Sequence, residues 1–283
     1  MKEIFLEAIL DSLKILPFLF IAFLLMEFFE HKLSNKSKKT IEKSGKFGPI
    51  IGGILGAFPQ CGFSVAATNL YAGKLITVGT LIAIYLSTSD EMVPILLSEN
   101  VELSLIFKIL GIKVLIAIIF GFIIDIVWKS KKDKHNHNHI HEMCEDEHCG
   151  CEKNIFSSTI KHTVHIILFI FIANLILNGI IHFVGPDAIS NLLMKNTFFE
   201  PLFTSLLGLI PNCASSVIIT ELYLSNSISF GAMLSGLLTG SGVALVVLFK
   251  VNKNIKENVK ILCTIYFIGV LIGVIFNLLN IAL

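Results

Sequence analysis

The chain has 283 residues, of which 54% are hydrophobic and 15% charged, with a formal net charge of +1 and a mean hydropathy of +0.80. A soluble domain carries about 25% charged residues, so the polar surface here is too small for a water-soluble globule and the lipid bilayer is the expected solvent. No basic face stands out from the loops, which excludes nucleic acid as a partner.

A spanning helix needs about 20 apolar residues. Apolar stretches fall at 4–29, 48–73, 75–97, 104–128, 159–184, 199–224, 228–249 and 259–282. The first is read as a retained membrane segment, because Glu3, Glu7 and Asp11 spoil a basic leader and no small-residue cleavage site follows. A polar segment divides the chain into a first membrane repeat (1–128), a cytoplasmic His/Cys-rich loop (129–158) and a second membrane repeat (159–283).

The two repeats share a text. Pro59-Gln60-Cys61-Gly62-Phe63-Ser64 runs on to Thr68-Asn69-Leu70-Tyr71, and Pro211-Asn212-Cys213-Ala214-Ser215-Ser216 runs on to Thr220-Glu221-Leu222-Tyr223. From Pro59 to Pro211 the offset is 152, and the same offset pairs Gly79 with Gly231, Leu86 with Leu238, Ser89 with Ser241 and Gly121 with Gly273. Shared Leu and Ile are cheap in apolar segments, but shared Pro, Cys, Tyr and Gly in one register are not.

Charge orients the repeats. Lys32 to Lys46, and Lys129 to Lys134, mark cytoplasmic loops. The acidic segment 98–103 (Glu99, Glu102) faces out, whereas its mate 250–260 (Lys250, Lys253, Lys256, Lys260) faces in. Equivalent loops on opposite sides are the mark of inverted repeats. Two full crossings between loop 31–46 and segment 98–103 give the wrong parity. Segment 48–73 is therefore expected to enter, turn near Pro59 and leave again, with Lys74 inside. Each arm, about a dozen residues, reaches the midplane at 1.5 Å per residue. Segment 199–224 does the same from outside. The expected fold is an all-α integral membrane protein with inverted repeats. Each half has three spans and a broken or re-entrant helical hairpin, about ten helical pieces in all. Both chain ends are extracytoplasmic and the central loop is cytoplasmic.

Irregular backbone at membrane depth is tolerated only where it is buried in protein or lines a cavity. Pro59 and Pro211 free backbone carbonyls. Those carbonyls, with Gln60, Asn212, Cys61, Cys213, Ser64, Ser215 and Ser216, form the expected substrate site across a pseudo-two-fold axis. The plainer reading, packing prolines and buried structural cysteines, fits one such motif better than two in register. Ser87-Thr88-Ser89-Asp90-Glu91 and its mate Thr239-Gly240-Ser241-Gly242 are polar, small and expected to unwind. Carboxylates at such depth are costly and usually functional. Asp90, Glu91 and Glu221, with Ser89 and Ser241, are the candidates for cation or proton coupling. Near an outer interface the same carboxylates would be ordinary.

The central loop carries His135, His137, His139, His141, Cys144, His148, Cys149 and Cys151 among acidic residues. Imidazole and thiolate suit zinc, copper, nickel and cobalt. The spacing matches no closed zinc-finger template, so the loop reads as a metal-collecting tether, or as a linker with incidental histidines. No phosphate loop, nucleotide fingerprint or hydrolytic triad is present, which argues against an enzyme and calls for no cofactor.

With its duplicated Pro-x-Cys motifs, the downstream Asn-Leu-Tyr and Glu-Leu-Tyr, the Ser87–Glu91 segment and the His-rich loop, the chain resembles the ten-transmembrane heavy-metal exporters, the second family of ArsP-like permeases. The resemblance covers nearly the whole chain. It implies ten helices and export of a heavy metal or metalloid, with Cys61 and Cys213 as soft ligands for trivalent arsenic. Asp90, Glu91 and Glu221 would suit a harder ion such as manganese. The expected protein is a secondary-type permease of the inner membrane, in contact with lipid and a metal or metalloid ion and compatible with a homo-oligomer. Two alternatives are a permease for a small organic or anionic solute and a membrane anchor subunit with a metal-storing loop.

Overall fold

The structure, a computed structural model, describes residues 47–58, 61–89, 92–128 and 199–279, together with helical positions within 9–24 and 159–175. Ten α-helices are described from end to end: α1 (Gly48–Gly56), α2 (Cys61–Ala72), α3 (Val78–Ser87), α4 (Met92–Ser98), α5 (Leu103–Val127), α6 (Glu200–Gly208), α7 (Cys213–Leu224), α8 (Phe230–Thr239), α9 (Ala244–Val251) and α10 (Ile255–Leu278). Every helix of the second set begins 152 residues after its mate, from Gly48 and Glu200 to Leu103 and Ile255. The duplication read from thirteen-residue motifs therefore covers five helices.

Short local rules set the boundaries. Pro49 and Pro201 sit in the first turns of α1 and α6, where a missing N–H costs nothing. Thr77 and Ser229 cap α3 and α8, accepting from Thr80 N and Ala232 N. The ends of α2 and α7 are alike. Lys74 (φ 58°) and Asn226 (φ 55°) take the left-handed conformation, and Leu75 N and Ser227 N reach back to the carbonyls of Leu70 and Leu222. That is a Schellman end in both copies.

Contacts fix the directions of the helices. Gly48 lies against Thr80 and Gly56 against Ser87, so α1 and α3 run parallel. The chain between them must double back, and α2 is that return arm. In the second repeat Ser235 Oγ donates to Pro201 O and Thr239 Oγ1 to Ser205 O, which makes α6 and α8 parallel and α7 the return arm. Segments 48–73 and 199–224 are thus helical hairpins. Arms of 9 and 12 residues span about 14–18 Å each, half a bilayer core.

Helix α5 packs antiparallel on α3, and α10 on α8. A Cβ on Gly79 would lie 2.1 Å from Gly121 O, and one on Gly231 2.4 Å from Gly273 O, so both crossings need glycine for backbone contact. At the far end of each crossing a polar side chain of the long helix holds the cap of the short one. Asp125 accepts from Thr77 Oγ1 and Gly79 N, and Asn277 accepts from Ser229 Oγ.

The repeats are inverted. The Lys260 ammonium sits 3.7 Å from the Trp128 ring centroid, and the Tyr71 hydroxyl donates to Glu257 Oε1 at 2.5 Å. Thus α5 ends, α2 ends and α10 begins at one end of the bundle, which also carries Lys74, Lys253 and Lys256. Mates α5 and α10 run in opposite directions. Glu99, Glu102 and the Ser225–Ser227 turn lie at the other end. Loops at equivalent positions fall at opposite ends, as their charges predict.

Candidate functional site

The spans Val78–Ser98 and Phe230–Val251 are long and apolar enough to cross a membrane, yet both are broken in the middle. The first helix of each pair stops at Ser87 or Thr239 and the second starts at Met92 or Ala244. Polar, small residues suit such ends because their hydroxyls add bonds to the carbonyls of the last turn. Thr88 Oγ1 donates to Ile84 O, and Thr239 Oγ1 donates to Ser235 O and Gly236 O. Gly242 completes the second break at φ 56°, a left-handed conformation that suits glycine.

A cavity of about 10 Å³, at the lower limit for one water, lies where the two breaks meet the tip of the second hairpin. Among the described residues its lining is Thr88, Ser89, Met92, Asn212, Ser215, Ser216, Leu237, Gly240 and Gly242. Asn212 is the N-cap of α7 and accepts from Ala214 N at 2.9 Å, so the cavity faces a capped helix N-terminus. Ser215 donates to Asn212 O at 2.8 Å, which folds the tip onto itself.

Of the residues singled out in the sequence, Ser89, Asn212, Ser215 and Ser216 come together here. Pro211 forms the turn that leads into them, and Cys213 opens α7 directly after Asn212. Cys61 opens α2 at the equivalent tip. Ser241 is fully buried at the second break, and its hydroxyl has no hydrogen-bond partner. Ser64 is fully buried on α2, away from the cavity lining. Glu221 is exposed in the last turn of α7 and does not line the cavity. Pro59, Gln60, Asp90, Glu91 and the loop with His135, His137, His139, His141, Cys144, His148, Cys149 and Cys151 lie outside the described residues, as do the side chains of Cys61 and Cys213. Among the described residues no cluster of His, Cys, Asp and Glu is arranged to hold a metal ion.

The mates of Leu237 and Ser215 are Tyr85 and Phe63, so larger rings occupy the equivalent positions of the first repeat. Tyr85 is fully buried; its hydroxyl shares a 2.5 Å hydrogen bond with Thr68 and donates to Ala244 O at 3.4 Å.

Two residues beside the cavity escaped the sequence reading. One is Tyr85, visible only as a mismatch next to the matched pair Leu86 and Leu238. The other is Lys113, fully buried on α5, whose ammonium donates to Thr88 O and, at 3.0 Å, to Leu237 O. A lysine in the middle of a 25-residue apolar helix, a turn and a half beyond Lys108, was the available signal.

The family model described as "Putative, 10TM heavy-metal exporter" (ArsP_2) matches residues 1–187 and again 168–282. The chain belongs to the ArsP_2 family. The two matches together cover both repeats and the central loop. No curated protein and no solved structure matches the chain. Membership carries the description of a membrane transporter of heavy metals, in keeping with an all-helical bundle of broken spans around a buried polar cavity.

Proposed function

We propose that this ArsP_2 member is a secondary-type permease that exports a heavy metal or metalloid, an arsenical or a divalent ion, through the cavity between its broken helices. One observation carries the reading: two interrupted spans and a hairpin tip converge on a single small polar cavity at mid-bundle depth. Transporters of this construction bind substrate where unwound helices meet.

In this reading Cys61 and Cys213, at the two hairpin tips, supply thiolates. Gln60, Asn212, Ser215 and Ser216 supply oxygen and amide ligands, Ser64 backs Cys61 one turn along α2, and Pro59 and Pro211 hold the tips open. Asp90, Glu91 and Glu221, with Ser89 and Ser241, serve coupling. The lysine-bearing end is cytoplasmic by the positive-inside rule, in the inner membrane, with both chain ends outside. The 129–158 loop, following Trp128 at that end, gathers metal through its histidines and cysteines. A volume near that of one water fits an occluded state between inward and outward access.

A second reading is favoured by the capped N-terminus of α7 at the cavity, whose dipole attracts anions. It makes the cargo a small anionic or organic solute. Everted vesicles separate the two. Uptake of arsenite or manganese should fall at least tenfold in the Cys61→Ser, Cys213→Ser double variant. Unchanged uptake of both would remove the thiol site and leave the anion reading.

A further inference from the structure

Breaking α3 and α8 leaves carbonyls without helical donors. Leu237 O would ordinarily receive Ser241 N, but that amide turns to Thr239 O at 3.0 Å. Thr88 O lies beyond the last turn of α3. Both freed carbonyls receive the Lys113 ammonium. Helix C-termini carry about half a negative charge each. Two of them converge here in a low-dielectric interior, where a positive charge is favoured. Lys113 lies ten residues into α5, about 15 Å along it and so near mid-bilayer. Its mate is Ile265, so a single cation serves both repeats.

In carriers built from discontinuous helices, the C-terminal ends and unwound carbonyls of the half-helices are where a coupling sodium ion or proton binds. We propose that Lys113 is a tethered cation filling such a monovalent-cation site between the ends of α3 and α8, so that the carrier needs no sodium or potassium ion there. Ser241 is buried in the same break of the second repeat. The cation site stands on this geometry. Only its consequence for transport rests on the proposed function.

The test compares melting temperatures of the purified full-length protein in equal concentrations of sodium, potassium, propylammonium and choline chloride. Wild type should melt at one temperature in all four. Lys113→Ala should melt lower in choline and recover by roughly 4 °C in sodium or propylammonium, as a cation of millimolar affinity refills the site. Lys113→Met, which keeps the volume and lacks the charge, should be destabilised without recovery. Sodium-specific stabilisation of wild type would overturn the proposal, and so would a folded Lys113→Ala that melts alike in every salt. If neither variant folds, the wild-type comparison decides alone. A separate arm measures arsenite uptake into everted vesicles with sodium replaced by choline, where no change is expected. Absence of any arsenite uptake would count against the proposed cargo and leave the melting result standing.

Discussion

The seam between α2 and α9 and the seam between α7 and α4 are built from matched residues, yet one is latched and the other holds the cavity. At the first, Thr68 and Tyr85 share a hydrogen bond, Tyr85 reaches Ala244 O, and Tyr71 bonds Glu257 at the lysine-bearing end. At the second, Thr220 bonds Ser216 O just as Thr68 bonds Ser64 O, but Leu237 stands for Tyr85, Tyr223 lies edge-on to Phe230 at 6.0 Å, and Leu105 stands for Glu257. A few substitutions on a duplicated frame thus separate a latched seam from one that holds a cavity. The second seam runs toward the Ser225–Ser227 end.

The largest expected effect tests the frame rather than the seams. Gly79→Val and Gly231→Val would each drive a side chain into a carbonyl at 2.1 or 2.4 Å. Both crossings are backbone against backbone, so neither neighbour can yield. Each change should cost on the order of 3 kcal/mol or abolish folding, read as the monodisperse fraction after solubilisation. If one folds normally, the two repeats are not equally dependent on their glycine crossings.

This frame was the legible part. A repeat of Pro, Gly, Cys and Tyr at one offset is a statement about backbone, and backbone obeyed it down to the first residue of each helix. Lysine and glutamate counts gave the inversion, since loop charge depends on which side a loop faces. The cavity lining was legible only where it is symmetric. Asn212, Ser215 and Ser216 stood out because their motif recurs, whereas Lys113 and Tyr85 have apolar mates and were passed over. Glu221 adjoins the motif in sequence, but it lies two helical turns beyond Cys213 on an exposed face.

The next effects exchange the seams. Tyr85→Leu copies the second repeat into the first and removes a fully buried ring. It should cost about 2–3 kcal/mol and open a second cavity, which a crystal or cryo-EM structure of the variant would display. Leu237→Tyr makes the opposite copy. It should leave the protein folded and stop uptake, since the phenol would enter a space of about 10 Å³. Normal uptake in Leu237→Tyr would mean the cavity is not on the transport path.

The smallest effect concerns the latch at the lysine-bearing end. Tyr71→Phe removes the hydroxyl that donates to Glu257 Oε1 and nothing else. A hydrogen bond to a carboxylate contributes about 1.5–3 kcal/mol, and less where water competes. Glu257 is half-buried, so about 1 kcal/mol is expected. The same loss should follow Glu257→Gln if the charge matters, and the double variant should lose little more than either single one, since the two changes remove one bond. If Tyr71→Phe costs nothing, or if the two single losses add in the double variant, the hydroxyl of Tyr71 is not a latch, and the asymmetry of the seams resides in Tyr85 alone.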